Sequence, residues 1–373
     1  MSLFQSTFRN DESNVPPDHI YLNGTVYNDN YINSSLAQYV PAEINQTRTS
    51  PFLDKCYSFN MSIIRFAISD DCIPRVFQAT NTTTATTPWG VAVSYNGVFY
   101  DQPVLLPLEN NPDGTQGRVV YSIQAFLDYI NIAWGLAQTA AQADGAPTGT
   151  GQVFINLDNT TGFYNVNVPT FYGLGIDANA PADGIGVHMS LPLYQLFGSY
   201  NAVLPRGPSI TYNFHNVTFV REIVGFNEVV TNYSTIGSYP PTDVYFQLKQ
   251  DAPRPSNVMN ITRLIITTTT LPVYPEFSAP LFTSNNTVGG NNTEKLVTDF
   301  FIGQDGVLEN DNASITYVAN PYRLISLTGS TPLSSWDLKI YYATFDNQIF
   351  PLYIPPYGKI DMKLLFLKKG LTS

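Results

Sequence analysis

Only one segment of this 373-residue chain carries the 3.6-residue spacing of apolar side chains that an amphipathic helix requires. It covers residues 122–143, where Ser122 is suited to be the N-cap and the apolar face comprises Ile123, Phe126, Leu127, Ile130, Trp134 and Ala137. The other apolar runs are short and rich in β-branched and aromatic residues, which favours strands. The sequence therefore predicts an all-β fold with one amphipathic helix.

Turn signals separate the predicted strands. Asn96-Gly97 gives the strongest hairpin signal, because both positions of a tight turn need positive φ. The first clear strand covers 57–68, and its second half is apolar on both sides, as in a strand buried between layers. The last two, 336–345 and 359–366, show the clearest alternation. The remaining predicted strands are 91–95, 98–104, 152–157, 163–168, 210–214, 217–223, 244–248, 261–268, 297–302, 315–318 and 322–327.

Many short strands and long loops predict a single jelly-roll β-sandwich with a large inserted β-rich lobe. The first and last strands of a jelly roll pair in one sheet, so we expect a core from residues 51-78 and 244-373. Residues 79-243 then form an inserted outer lobe that contains the helix. Residues 1-50 are rich in Asn, Ser and Pro with isolated aromatics and no clear period, and they are predicted to be an N-terminal arm.

The charge balance argues against nucleic-acid binding. The chain has 18 Lys and Arg residues against 29 Asp and Glu residues, a formal charge of −11 that repels phosphates. The local exception is a basic cluster near the C-terminus, interpreted as a solvated strand end with a polyanion contact as the alternative: Lys359, Lys363, Lys368 and Lys369. No run of 18 apolar residues occurs, so no membrane span is predicted and a soluble protein is expected.

No motif for catalysis, metal or cofactor is found. The three histidines, His19, His188 and His215, are interpreted as structural. Cys56 and Cys72 have no histidine nearby and are predicted to be free thiols, because they do not match a zinc site. The remaining polar or Gly-rich candidates are interpreted as turns, and they are Gly149-Thr150-Gly151, Asp70-Asp71 and the run Glu309, Asn310, Asp311, Asn312.

Two other classes of function stay open at this point. A β-sandwich glycosidase needs only two carboxyl groups at a fixed distance, although most acidic residues here fall in loops and not in predicted strands. A receptor- or glycan-binding virion spike, or another β-sandwich carbohydrate-binding protein, is the second alternative. The heptads that the trimeric stalk of a spike would carry are missing from the sequence.

Several stretches resemble the penton (minor capsid) proteins of virophages and polinton-like small DNA viruses. Their order along the chain is a stronger signal than any one of them. They are Pro51-Phe52-Leu53-Asp54-Lys55, Met61-Ser62-Ile63-Ile64-Arg65-Phe66-Ala67-Ile68, Ile73-Pro74, Tyr121-Ser122-Ile123-Gln124-Ala125-Phe126-Leu127-Asp128-Tyr129-Ile130-Asn131, Thr298-Asp299-Phe300, Pro321-Tyr322-Arg323-Leu324-Ile325-Ser326-Leu327, Asp337-Leu338-Lys339-Ile340-Tyr341 and Pro351-Leu352-Tyr353-Ile354-Pro355-Pro356.

This resemblance implies a structural virion protein that is not an enzyme. The expected partners are four more copies of the chain, in a homopentamer at the capsid vertex, and the major capsid protein of the same virion. The expected location is the capsid, assembled in the host cytoplasm. The resemblance implies no catalytic residue and no cofactor, and it does not identify a host receptor.

Overall fold

The structure is a computed structural model that describes the following parts of the chain: residues 18–29, 39–79, 87–110, 116–149, 151–169, 185–200, 202–204, 213–219, 228–232, 244–250, 261–274, 294–302, 314–318, 323–344 and 349–370.

The strands of the first half of the chain are β1 (His19–Tyr27), β2 (Val40–Pro41), β3 (Glu43–Thr47), β4 (Phe59–Ser69), β5 (Val76–Ala79), β6 (Gly90–Tyr95), β7 (Val98–Pro103), β8 (Leu108–Asn110), β9 (Gln116–Val120), β10 (Phe154–Asp158), β11 (Phe163–Pro169) and β12 (Gly186–Met189). Those of the second half are β13 (Ala202–Val203), β14 (Val217–Phe219), β15 (Glu228–Asn232), β16 (Val244–Leu248), β17 (Ile261–Thr268), β18 (Lys295–Phe301), β19 (Ser314–Val318), β20 (Ile325–Ser326), β21 (Ser335–Thr344), β22 (Ile349–Pro351), β23 (Tyr353–Ile354) and β24 (Lys359–Lys368). The helices are α1 (Ile123–Ala143) and α2 (Leu191–Phe197), with short 3₁₀ turns at Cys56–Ser58 and Asp70–Cys72.

The chain divides into two compact units. The first is drawn from residues 1–74, 110–116 and 260–373, and the second from residues 75–109 and 117–259. In the order of the sequence, the second unit is therefore an insertion within the first. The predicted insertion of 79-243 is too short at both ends, because β5 pairs with β9 and β16 pairs with β11 and β15, all in the second unit. Strand pairing, which composition does not reveal, sets these boundaries.

The first unit is a sandwich of two antiparallel sheets. One has the order β1-β24-β4-β19, with β20 also paired to β4, and the other has the order β18-β17-β21-β22, with β3 also paired to β21. The sheets pack face to face, since the rings of Phe66 on β4 and Phe300 on β18 lie 5.0 Å apart. The central pairing of the first sheet joins β4 to β24, which are almost 300 positions apart in the chain. The all-β jelly-roll sandwich predicted from sequence is the fold of this unit.

Alternation of apolar residues explains how the last strands form this core. On β24 the buried side chains of the core face are Ile360, Met362, Leu364 and Phe366, and on β21 the buried side chains include Trp336, Leu338, Ile340 and Tyr342. These are the faces predicted from the sequence. The interpretation of β4 needs correction, because its apolar residues do not mark a strand buried on both faces. A β-bulge after Ile63 changes which face is buried, so that Met61 and Ile63 precede Phe66 and Ile68 in one core.

The prediction that residues 1-50 form only an arm is wrong for two segments. β1 pairs along its whole length with β24, and β3 pairs with β21, so both sheets of the core include this region. Leu22 and Ile44 are buried, and Gly24 leaves so little space that an added Cβ would lie 3.1 Å from Ile44 and Trp336. Backbone hydrogen bonds and a few apolar residues hold these strands, a signal too weak for periodicity to detect.

The second unit packs helix α1 against β6, β7 and β10. Its sheets have the orders β13-β14-β12-β6-β7, β10-β11-β16-β15 and β5-β9-β8. One hydrophobic cluster contains most of its large buried side chains, including Trp134 of α1. Two buried amides of α1 also bind the backbone at the edge strand β10 and the residues before it. Asn131 Oδ1 accepts from Ile155 N at 2.7 Å, and Gln138 Nε2 donates to Gly151 O at 2.7 Å.

The local signals for the helix and both hairpins are confirmed. The Ser122 side chain caps α1 by accepting from Ala125 N at 3.1 Å. Asn96 and Gly97 have φ of 51° and 78° between β6 and β7, and the second predicted hairpin is β10–β11. Helix α2 was not predicted, because its seven residues are too few to show a period. The predicted strand at 210–214 is not observed at residues 213–214, and its other residues lie outside the described ones.

Substitutions at neighbouring positions of β24 test this core. We expect Leu364→Ala to lower the free energy of unfolding by about 3 kcal/mol, because the side chain is fully buried. Lys363→Ala, on the opposite face, should cost less than about 1 kcal/mol. Chemical denaturation of both variants measures the difference, and equal losses would contradict the assignment of the two faces.

Candidate functional site

His188 lies on β12, on the sheet face opposite the core residues Val187 and Met189. Its Nε2 is 2.8 Å from Ser94 Oγ, and its Nδ1 is 3.1 Å from Thr218 Oγ1. The ring is 4% exposed, and Phe99 packs edge-on against it at 5.1 Å. Burial, together with the nearby charge of His215, lowers the pKa of His188 to about 3. The imidazole is therefore neutral at physiological pH.

This Ser–His pair lacks the features of a hydrolase site. The third partner is the hydroxyl of Thr218 where a triad has a carboxylate, so the described partners of His188 supply no negative charge to stabilise an imidazolium. A histidine with a pKa near 3 is also a poor general base at neutral pH. Sequence analysis did not identify Ser94 and Thr218, because only the registers of three strands bring them to His188. Gly186, which pairs with Ser94 on the neighbouring strand, was a sequence signal for close packing at this position, since an added Cβ there would overlap Ser94 Oγ.

Asp337 on β21 is held by three consecutive threonines, Thr268 at the end of β17 and the two residues after it. Its carboxylate accepts from Thr268 Oγ1 at 2.8 Å, from Thr269 Oγ1 at 2.6 Å and from Thr270 N at 2.7 Å. Burial alone would raise the pKa of this carboxyl, but the hydrogen bonds from the threonines outweigh it and lower the pKa to about 2. Asp337 thus fixes the turn after β17 to the next strand of the sheet.

A second carboxylate, Glu294, is fixed nearby in the same sheet. It accepts from Lys339 Nζ at 3.0 Å, from Tyr341 OH at 2.9 Å and from Thr267 Oγ1 at 2.8 Å. Burial and the adjacent Glu294 raise the pKa of Tyr341. A glycosidase needs a carboxylic acid whose pKa is raised, whereas Asp337 has a lowered pKa. Both carboxylates have structural partners, and neither is placed as a general acid.

The free-thiol prediction is confirmed for Cys56 and Cys72, both of which are buried. Burial raises the pKa of both thiols, that of Cys72 to about 12, so they stay protonated. Asp70 lies in the 3₁₀ turn that ends at Cys72, and Gly149 and Gly151 lie in irregular backbone before β10. Thr150 and the run 309–312 lie outside the described residues. In the described part of the chain, no three His, Cys, Asp or Glu side chains are grouped to hold a metal, and no helix there is long and apolar enough to cross a membrane.

The four C-terminal lysines have individual partners. Lys359 pairs with Asp361 at 2.8 Å, and Lys368 with Asp18 at 3.7 Å. Lys369 Nζ donates to Leu327 O at 3.2 Å, and Lys363 Nζ lies 4.8 Å above the ring of Tyr21. Three of these lysines belong to β24, and Lys369 follows it directly.

Large apolar side chains are exposed on the edge strands of the sandwich. Tyr21 and Tyr27 of β1 are 46% and 49% exposed, while Phe301 of β18 and Val318 of β19 are 48% and 62% exposed. These strands are the last ones in their sheets. The centre of a protein interface is typically rich in aromatic side chains and poor in charged ones. The edges of the first unit are therefore its candidate assembly surface.

Comparison with known proteins shows the family to which the chain belongs. A family model described as Sputnik minor capsid protein V18/19 matches residues 20–368. The chain belongs to this family of virophage minor capsid proteins. The family resemblance predicted from the sequence motifs is thus confirmed.

Individual relatives support the same family and fold. Structural protein V19 of the Sputnik virophage is 32% identical over 149 residues, which span 39% of this chain and 66% of that relative. A chain of the cryo-EM structure of the Sputnik virophage superposes with a TM-score of 0.66 and 23% identity, covering 96% of this chain and 99% of that one. The mavirus penton protein superposes with a TM-score of 0.56 and 16% identity, covering 94% and 100%.

The Asp337 cluster predicts a pH-dependent stability. A carboxyl with a lowered folded-state pKa stabilises the fold above its unfolded value, and this contribution is lost as the pH falls towards about 2. We expect Asp337→Asn to lower the free energy of unfolding at pH 7 by about 2 kcal/mol. The difference from the wild type should shrink between about pH 4 and pH 2, as followed by urea denaturation.

The exposed Asp54 provides the control, because Asp54→Asn makes the same chemical change without a buried partner. A loss at pH 7 that is equal in both variants, or a loss for Asp337→Asn that does not change with pH, would contradict the assigned role.

Proposed function

We propose that this chain is the penton protein of an icosahedral capsid, where five copies form a ring at each vertex and contact the major capsid protein. The family membership over residues 20–368 carries this proposal. The fold supports it, because one of the neighbouring structures is the mavirus penton protein. The virion is then the site of action, with assembly in the host cytoplasm.

The edges of the first unit suit such a ring. A ring forms when one surface of a subunit binds a different surface of the next. The rotation between neighbouring subunits must also add up to a full turn after the last subunit. Opposite edges of the sandwich provide two unlike surfaces, with Tyr27 on the β1 edge and Phe301 on the β18 edge. A specific contact needs about 1,000 Å² of buried area. Charged residues make up only 13% of the chain, which keeps the cost of burying such surfaces low.

The inserted second unit is proposed to be the outer lobe of this capsomer. Its polar cluster around His188 supports a structural and non-enzymatic role, since the histidine is buried and its pKa is lowered to about 3. A glycosidase receives no support from the fixed carboxylates Asp337 and Glu294. A trimeric spike receives less support than a penton, because the family consists of minor capsid proteins.

Imaging of particles tests the proposal. In a cryo-EM reconstruction of the virion we expect density for the first unit at the five-fold vertices, in five copies per vertex. Density for the chain at three-fold capsomers, or outside the shell as a trimer, would contradict it. Native mass spectrometry of the purified chain is a second measurement, in which a five-copy species supports the ring.

A further inference from the structure

One face of the sheet β1-β24-β4-β19 points away from the core. One row of paired residues across this face, from β1 to β19, contains two cations. Asn23 pairs with Lys363, Lys363 with Arg65, and Arg65 with Val318. Residues paired across antiparallel strands project to the same face, with Cβ atoms about 5 Å apart. The side chains of Asn23, Arg65 and Val318 are exposed and that of Lys363 is partly exposed. Two cations therefore lie side by side in an exposed row of this face, although Ser62 and Leu365 farther along the same face are buried.

The bulge in β4 is what aims Arg65 outward. Ile63 is 5% exposed and faces the core, and strict alternation would turn Arg65 to the core as well. The register shift after Ile63 inserts Ile64 as an extra residue, so that Phe66 faces the core and Arg65 lies opposite Lys363. Bulges of this kind often redirect a side chain for function.

The charges of Arg65 and Lys363 are not neutralised within the described residues. Lys359, on the same face, is paired with Asp361 at 2.8 Å. Lys363 has only the ring of Tyr21 as a partner, and no carboxylate in the described part of the chain pairs with Arg65. Like charges placed directly opposite each other are destabilising. The repulsion between Arg65 and Lys363 destabilises the free subunit, and a negatively charged partner that binds both would relieve it.

We infer that this face, defined by Tyr21, Lys363, Arg65 and Val318, binds a carboxylate-bearing surface of a second copy of the chain. The inference rests on the proposed ring. Arg65 suits a bidentate contact with a carboxylate and Lys363 adds a second charge, while Tyr21 and Val318, 46% and 62% exposed, supply apolar contact on either side.

Charge complementarity favours a second copy over nucleic acid. Arg65, Lys359 and Lys363 against Asp361 give this face a formal charge of +2, which leaves −13 for the rest of a chain whose total is −11. The negative charge of the rest of the chain repels phosphates, and two unpaired cations would release only about two counterions from DNA. The same negative charge makes the surface of another copy acidic. An interface between unlike surfaces also fits a ring, which requires head-to-tail contacts.

Charge reversal tests the inference. Lys363→Glu and Arg65→Glu should each weaken association of the subunits into rings by at least about tenfold, as measured by sedimentation or in assembled particles. Lys363→Arg should keep the ring. Lys55→Glu changes an exposed lysine outside this face by the same charge and should leave the ring intact. Thermal unfolding of each variant verifies that the subunit still folds.

Zero-length crosslinking with a carbodiimide identifies the partner. In rings assembled from equal amounts of ¹⁴N- and ¹⁵N-labelled chains, Lys363 should form mixed-isotope crosslinks to Asp or Glu of another copy. Crosslinks from Lys363 only to its own copy or to a different polypeptide would overturn the inference. So would binding of a DNA oligonucleotide that Lys363→Glu abolishes.

The outcomes separate this inference from the proposed function. Wild-type rings of five that persist in Lys363→Glu and Arg65→Glu would overturn only the role of this face. If wild-type chains form no ring in solution or in particles, both the vertex assignment and the contact fail.

Discussion

The pairing of β4 with β24 is the constraint on which the rest of the first unit depends. It joins segments whose contacting atoms, Ser69 Oγ and Lys359 O, are 290 positions apart in the sequence. Closing so long a loop costs entropy, but the cost grows only slowly with loop length, so an entire second unit fits between the two strands. Once the pair is formed, β1 adds to one side and β19 to the other, and the apolar faces of β4 and β24 cover the sheet that contains β21.

Local signals in the sequence predicted those parts of the fold that local chemistry determines. Ser122 caps the helix, Asn96-Gly97 makes its turn, and the alternation on β24 marks the buried face. Elements held by distant partners were not predictable in this way. Leu22 is the one apolar side chain of β1 that is fully buried, and the strand takes its place through backbone pairing with β24. The bulge at Ile64 made β4 look apolar on both faces. The alternation of buried and outward side chains shifts by one residue there, so each half of the strand still has one buried face.

The same distinction applies to the candidate site. Sequence motifs indicated correctly that the cysteines are free, and they identified the family through the order of several short stretches. They did not reveal the threonine turn around Asp337, which exists because the register of β17 and β21 brings positions 268–270 to Asp337. Nor did they single out Arg65 among the cations, because its neighbour Lys363 is almost 300 positions away along the chain. Strand pairing within the sheets creates both features. The partners of the basic residues at the C-terminus likewise depend on the strands that lie beside β24.

The proposed assembly contacts lie in the first unit, at its edges and on the outer face of the β1-β24-β4-β19 sheet. Hydrogen–deuterium exchange, compared between the free subunit and the assembled particle, tests this claim most directly. Edge strands carry backbone amides without partners inside the sheet, and contact with a neighbour slows their exchange. The account predicts that assembly slows exchange in β1 and β19 more than in helix α1 of the second unit. Slowing confined to the second unit, with no change in β1 or β19, would contradict it.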